Sequence, residues 1–152
     1  MLSTILLFTT TIAAEAPKPT APVLRLAGAA ESGGFVALTF EVTNPNANPL
    51  PYLGYTPDSF DPKIPEGKIV PISKTEFLQG KEWKEDKTGW CGTGIGPVTL
   101  PAKGKVVFAV LIPAGEWEKV GVGLVWYATA DEKSPQTAWS DGIDRKSVKK
   151  EK

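Results

Sequence analysis

The segment 35–43 alternates apolar and polar residues with a period of two, and this pattern constrains the fold more than any other feature of the chain. Its second face carries mostly threonine and glutamate. A helix would scatter these apolar side chains around its axis, whereas a strand places them all on one face. The residues of the apolar face are Val36, Leu38, Phe40 and Val42. The pattern predicts a strand with one face in a core.

Similar short apolar runs recur along the chain, separated by turn-forming residues. The sequence holds 15 glycines and 14 prolines, more than a helical protein tolerates. We predict an all-β fold, an immunoglobulin-like antiparallel β-sandwich of about seven strands occupying residues 23–141. The predicted strands are 23–26, 35–43, 50–55, 68–74, 98–100, 105–112 and 119–129.

Three of these predictions are more specific. Strand 105–112 is apolar on both faces, which predicts a central strand covered on both sides. Strand 119–129 has glycine at positions 121 and 123, which predicts that another segment packs closely over that face. Residues 75–87 are expected to form a loop or one helical turn, because Gly80 interrupts any longer helix.

Both ends of the chain are predicted to lie outside the domain. Residues 1–16 resemble a signal peptide, with an apolar run followed by Ala14-Glu15-Ala16, and cleavage is expected after Ala16. The run is shorter than the roughly 20 residues that span a bilayer, so we expect no membrane span and a secreted or periplasmic protein. Because no Lys or Arg precedes the run, a cytoplasmic protein with an apolar first strand stays the alternative. Residues 17–22 are an extended lead, and residues 142–152 a basic, disordered tail.

Charge and residue types exclude several functions. Seventeen basic residues balance seventeen acidic ones, so nucleic acid is not an expected partner. There is no histidine, which excludes Ser-His-Asp, Cys-His and His-based metal chemistry. We expect no enzyme activity, no metal and no cofactor. The single cysteine, Cys91, cannot form an internal disulfide; it is a small buried residue or the site of an intermolecular bond.

Three stretches of the chain carry a family resemblance. They are the pattern Phe35-x4-Phe40-x-Val42-x-Asn44, the run Leu50-Pro51-Tyr52-Leu53-Gly54, and the run from Leu100 to Lys105 with Phe108. Together they resemble small immunoglobulin-like domains such as the bacterial intracellular proteinase inhibitor type. The resemblance covers residues 35–112 and implies a non-catalytic binding domain. No reactive-site motif of such inhibitors is matched.

Aromatic residues are the candidate binding residues. Trp126 lies on the core face of its predicted strand and is expected to be structural. Four other tryptophans lie in polar or glycine-rich surroundings, where they either protrude to stack on a ligand or cap the end of the core. Two tyrosines of the early strand could add to such a surface. The candidates are Trp83, Trp90, Trp117, Trp139, Tyr52 and Tyr55.

These observations predict a non-catalytic, exported interaction or structural domain that binds a protein partner in the cell envelope through loops or a sheet edge. One alternative is a carbohydrate-binding module that holds a glycan on its loop tryptophans. The other alternative is a proteinase inhibitor-like domain, which rests on the resemblance alone.

Overall fold

The computed structural model describes residues 18–86, 93–129 and 133–150. These residues form an all-β fold of two sheets, as the sequence predicts. Within them no helix has the length and apolar character needed to cross a membrane. The strands are β1 Val23–Ser32, β2 Phe35–Thr43, β3 Leu50–Tyr55, β4 Val70–Pro71, β5 Ser73–Gln79, β6 Glu82–Glu85, β7 Ile95–Leu100, β8 Lys105–Pro113, β9 Lys119–Trp126, β10 Gln136–Trp139, β11 Ile143–Asp144 and β12 Lys149–Lys150.

The smaller sheet has four strands in the order β12-β1-β2-β8. β1 and β2 form a hairpin whose turn uses Gly33 and Gly34, both with positive φ, a conformation that glycine adopts without steric cost. β1 therefore continues past the predicted end at Leu26, with a bulge between Leu26 and Gly28. β8 pairs with the whole of β2 in antiparallel register.

The larger sheet has eight strands, and β9 organises it. β5 and β3 pair with one flank of β9, while β10 and β11 pair with the other. β6 continues the sheet beyond β5, and β7 and β4 pair with β3. All of these pairs are antiparallel.

One core lies between the two sheets. The apolar face predicted for β2 is confirmed, since all four of its residues are fully buried. Phe40 stacks on Phe108 of β8 with ring centroids 5.3 Å apart. Alternate residues of β9 supply the opposite side of the core, and Trp126 is buried there as predicted.

A buried asparagine ties together the loops at one end of the core. The amide nitrogen of Asn44 donates to the carbonyl oxygens of Asn48 and Pro101, each at 3.0 Å. Its side-chain oxygen accepts a hydrogen bond from the backbone N–H of Asn46 at 3.0 Å. These contacts satisfy a polar group that would otherwise be costly to bury, and they fix the predicted turn after β2.

The predicted count of about seven strands is wrong, because the described residues form twelve. Several of the additional strands have only two residues and are set by tertiary contact rather than by any local pattern. Residues 75–87 were expected to be a loop or helical turn, yet most of them belong to the β5–β6 hairpin. Gly80 supplies the positive φ of the hairpin turn instead of breaking a helix.

The prediction that residues 105–112 form a central strand is also wrong. β8 lies at an edge of the smaller sheet, and its outer face is partly open, with Leu111 68% exposed. β8 therefore carries apolar residues on both faces although only one face is buried.

The prediction of a disordered tail is wrong for residues 143–150. β11 pairs with β9, and β12 pairs with β1. Between them, Arg145 forms a 2.6 Å ion pair with Glu31 of β1, and both side chains are mostly buried. Glu31, which is 114 residues away in the sequence, thus holds this basic segment in place. No local sequence pattern could predict this contact.

Candidate functional site

Two glycines of β9 shape the outer face of the larger sheet. Val120, Val122 and Leu124 point into the core, so Gly121 and Gly123 point outward. Because these two positions have no side chains, side chains of neighbouring strands can pack directly against the backbone of β9. The close packing predicted for this face is confirmed by the contacts described below.

Trp139 lies over Gly123. The two residues are directly opposite each other in the β10–β9 register, so both face outward. A Cβ atom built on Gly123 would lie 2.9 Å from Cε3 and 3.0 Å from Cζ3 of the indole. The six-membered ring therefore occupies the space above the glycine, and 40% of Trp139 stays exposed.

Trp83 lies on the same face and extends toward β9 from the flank opposite β10. It is on β6, two strands from β9. A Cβ atom on Gly142 would lie 3.1 Å from Cη2 and 3.3 Å from Cζ2 of its indole. Gly142 immediately precedes Ile143, which pairs with Val120 on the far flank of β9. The indole thus extends across the sheet, and 42% of Trp83 is exposed.

Polar side chains lie between the two indoles. A Cβ atom on Gly121 would lie 3.0 Å from Oε1 of Glu76, so this carboxylate rests over the glycine. Glu85 is directly opposite Glu76 in the β5–β6 register, and it forms a 3.2 Å ion pair with Lys74. Partial burial, and then the charge of Glu85, raise the pKa of Glu76. We call the surface formed by Trp83, Trp139, Glu76, Lys74 and Glu85 the tryptophan face.

Trp117 lies elsewhere. Its Nε1 donates to the carbonyl oxygen of Pro113 at 3.3 Å, and the Arg145 guanidinium lies 5.2 Å from its ring centroid. The ring also packs at 6.2 Å against Phe77 and is partly buried. Trp117 lines a cavity of about 890 Å³ between the β5–β6 turn and the C-terminal segment. Its contacts are those of a residue that caps the core.

The predicted tyrosines do not join the tryptophan face. Tyr52 is 1% exposed, so its assignment to a binding surface is wrong. Burial raises the pKa of Tyr52 to about 12. Tyr55 packs against Phe60 with ring centroids 5.3 Å apart, at the far end of β3. Trp90 and Cys91 lie outside the described residues.

The sequence reasoning missed the polar part of this surface. Lys74 ends the predicted strand 68–74, whereas Glu76 and Glu85 lie in the segment predicted as a loop or helical turn, so their common face was not apparent. Gly142 was not recognised either. Two signals in the sequence pointed to the site: the polar surroundings of Trp83 and Trp139, and the glycines at positions 121 and 123.

Comparison with models of known protein families and with curated proteins gives no match for this chain. Within the described ranges, no three Cys, Asp, Glu or His residues come together in a group that could hold a metal ion. The case for function therefore depends on the geometry of the surface itself.

Proposed function

We propose that this chain is a non-catalytic, exported binding domain and that the tryptophan face is its recognition surface. The observation that carries the proposal is the arrangement of Trp83 and Trp139. Both indoles lie on the outer face of one rigid sheet, both pack over glycines, and both keep about two fifths of their area exposed.

Aromatic residues held in this way are well suited to binding. A tryptophan presents a large apolar area with only two side-chain torsions to restrain, and tryptophan is enriched where interfaces gain most of their energy. Here the packing on Gly123 and Gly142 already restrains both indoles. Binding then costs little additional side-chain entropy.

A non-catalytic role agrees with the residues present. The sequence lacks histidine, and the carboxylate of Glu85 is already paired with Lys74. The immunoglobulin-like character of the sandwich also belongs to the proposal. It is supported by the two mainly antiparallel sheets around one core and by the resemblance of residues 35–112 described above.

Export is proposed from the pattern of residues 1–16. We expect the protein isolated from its native cells to begin at Pro17 and to be found outside the cytoplasm. N-terminal sequencing of protein from fractionated cells tests this. A cytoplasmic protein that retains residues 1–16 would contradict it.

The recognition surface can be tested by co-sedimentation with envelope material from the cells that make the protein. Trp83→Ala and Trp139→Ala are each expected to weaken binding tenfold or more, which corresponds to about 1.4 kcal/mol. The control is Phe35→Ala, because Phe35 is an aromatic residue on the smaller sheet and is 52% exposed. Thermal unfolding must show that all three variants are folded. Equal binding by the tryptophan variants and the wild type would refute the proposal.

A protein partner, which the sequence analysis favoured, has support at a different surface. On the edge of β8 away from β2, the backbone N–H of Val107 donates to the carbonyl oxygen of Gly67 at 2.9 Å. The carbonyl oxygen of Val107 accepts from the backbone N–H of Ile69, also at 2.9 Å. Ala109 and Leu111 have the same parity, so their peptide groups face that edge too. Residues 106–113 contain no charge, although exposed edges usually carry one.

This edge could accept an extended segment of another protein as an added strand. Leu111→Lys would oppose such pairing and leave the tryptophan face intact. If envelope binding is lost in Leu111→Lys but retained in the tryptophan variants, the β8 edge is the recognition surface. A proteinase inhibitor-like role is the third candidate, and a panel of serine, cysteine and metalloproteinases unaffected by micromolar protein would exclude it.

A further inference from the structure

We infer that the ligand of the tryptophan face is a neutral polysaccharide chain. This inference rests on the proposed function, because it takes the tryptophan face as the recognition surface. It goes further by naming the chemical class of the ligand.

Both indoles are exposed on the outer face of the sheet. Each ring packs over a glycine, with atoms of the six-membered ring close to the position of a missing Cβ. Both indoles therefore pack against the sheet, and about two fifths of each residue stays exposed to solvent. The face of an aromatic ring carries partial negative charge, and the C–H groups on the face of a pyranose ring carry partial positive charge. Stacking of a sugar ring on an exposed indole combines this attraction with apolar burial.

Hydrogen-bonding side chains also lie on the tryptophan face. Glu76 lies over Gly121, which is two residues from Gly123 along β9. That separation is about 7 Å in a strand. The carboxylate can accept hydrogen bonds from two hydroxyl groups, and Lys74 can donate. A sugar chain that crosses from one indole to the other would place its hydroxyls against these side chains.

The two strands that carry the tryptophans are separated by β5 and β9. β6 and β10 are separated by three strand spacings, about 14 Å, and four residues of either strand span a similar length. A chain of a few sugar rings is long enough to reach from one of these strands to the other.

The charges on the tryptophan face also restrict the class of ligand. Lys74 is paired with Glu85 at 3.2 Å, so Glu76 leaves the centre of the face with an uncompensated negative charge when it is ionised. An anionic polymer would be repelled there. A neutral chain meets no such penalty.

The experiment uses the envelope material described above, after two separate treatments. Periodate cleaves the vicinal diols of sugars, whereas proteinase digestion removes proteins. We expect periodate to abolish co-sedimentation of the wild-type protein and proteinase digestion to leave it unchanged. Survival after periodate together with loss after proteinase would overturn the inference, while the proposed function would stand if Trp83→Ala and Trp139→Ala still weakened binding.

Defined probes then test the geometry. Calorimetry with cellohexaose, xylohexaose and hexa-N-acetylchitohexaose is compared with glucose and with the anionic polymer polygalacturonate. We expect at least one neutral hexasaccharide to bind, with affinity reduced tenfold or more in either tryptophan variant and unchanged in Phe35→Ala. Glu76→Gln should weaken binding less than tenfold and should leave tryptophan quenching intact. Preferential binding of polygalacturonate would overturn the inference, and release of new reducing ends would overturn the non-catalytic proposal itself.

Discussion

Gly123 is the position where a single methyl group should disturb both the fold and the tryptophan face. In Gly123→Ala the new Cβ would lie 2.5 Å from Cγ2 of Thr137 and 2.9 Å from Cε3 of Trp139. Ordinary carbon contacts begin near 3.5 Å. The two side chains would therefore have to move by about 0.5–1 Å. Both belong to β10, so the strain falls on one strand pair.

The magnitude follows from two opposing effects. Overpacking of this kind lowers the free energy of unfolding by about 1–3 kcal/mol. Replacing glycine by alanine in an unstrained strand raises it by about 0.4–1 kcal/mol, because the unfolded chain loses conformational entropy. The net loss should be about 1–2 kcal/mol. For a domain of this size the midpoint of thermal unfolding should fall by roughly 3–10 °C.

The matched control is Gly28→Ala in the smaller sheet. A Cβ atom there would have its nearest neighbour, Cβ of Thr39, at 4.0 Å, so this variant should be as stable as the wild type or more stable. Urea denaturation of both variants measures the difference, and Thr137→Ala should recover part of the loss in a double-mutant cycle. If Gly123→Ala is as stable as Gly28→Ala, the packing of β10 against β9 described here is wrong.

Three further predictions concern the core and its edges. Asn44→Ala leaves buried carbonyl groups without a donor and should cost about 2–4 kcal/mol in urea denaturation; a loss below 0.5 kcal/mol would contradict the network. Burial raises the pKa of Tyr52 to about 12 from 10.0, so its contribution to stability is present below pH 10 and lost as the pH rises toward 12. Tyr52→Phe should therefore move alkaline unfolding, followed by circular dichroism, to higher pH. Hydrogen bonding to Arg145 lowers the pKa of Glu31 below 4.5, so the stability from this pair is present above that pH and lost as the pH falls. Glu31→Gln should flatten the acid side of the pH–stability profile, and an unchanged profile would show that the pair contributes nothing.

The buried strand of the smaller sheet and the close packing over β9 could be predicted from the sequence, because both signals are local. The period-two pattern of residues 35–43 gave both the strand and its buried face. The glycines at 121 and 123 indicated close packing over the last long strand, and Trp139 and Glu76 indeed lie there. In each case one segment carried the whole signal.

The rest of the fold is determined by contacts between distant segments. Gly80 was interpreted as an interruption, but the hairpin around it forms because β5 has β9 to pair with, more than 40 residues later. The basic C-terminal segment is ordered by Glu31. The membership of Trp83 in the site depends on both of these long-range pairings, so no local pattern could have separated it from Trp117, which caps the core instead.

The central position of β9 also has a consequence for the order of folding. Strands β3, β5, β10 and β11 all pair with residues 119–126, so the larger sheet cannot close until about four fifths of the chain is available. Pairing across such sequence distances is slow. If the protein is exported, its larger sheet stays open while most of the chain is being made. The synthesis of β9 then determines when the chain can fold and can no longer pass through a narrow channel.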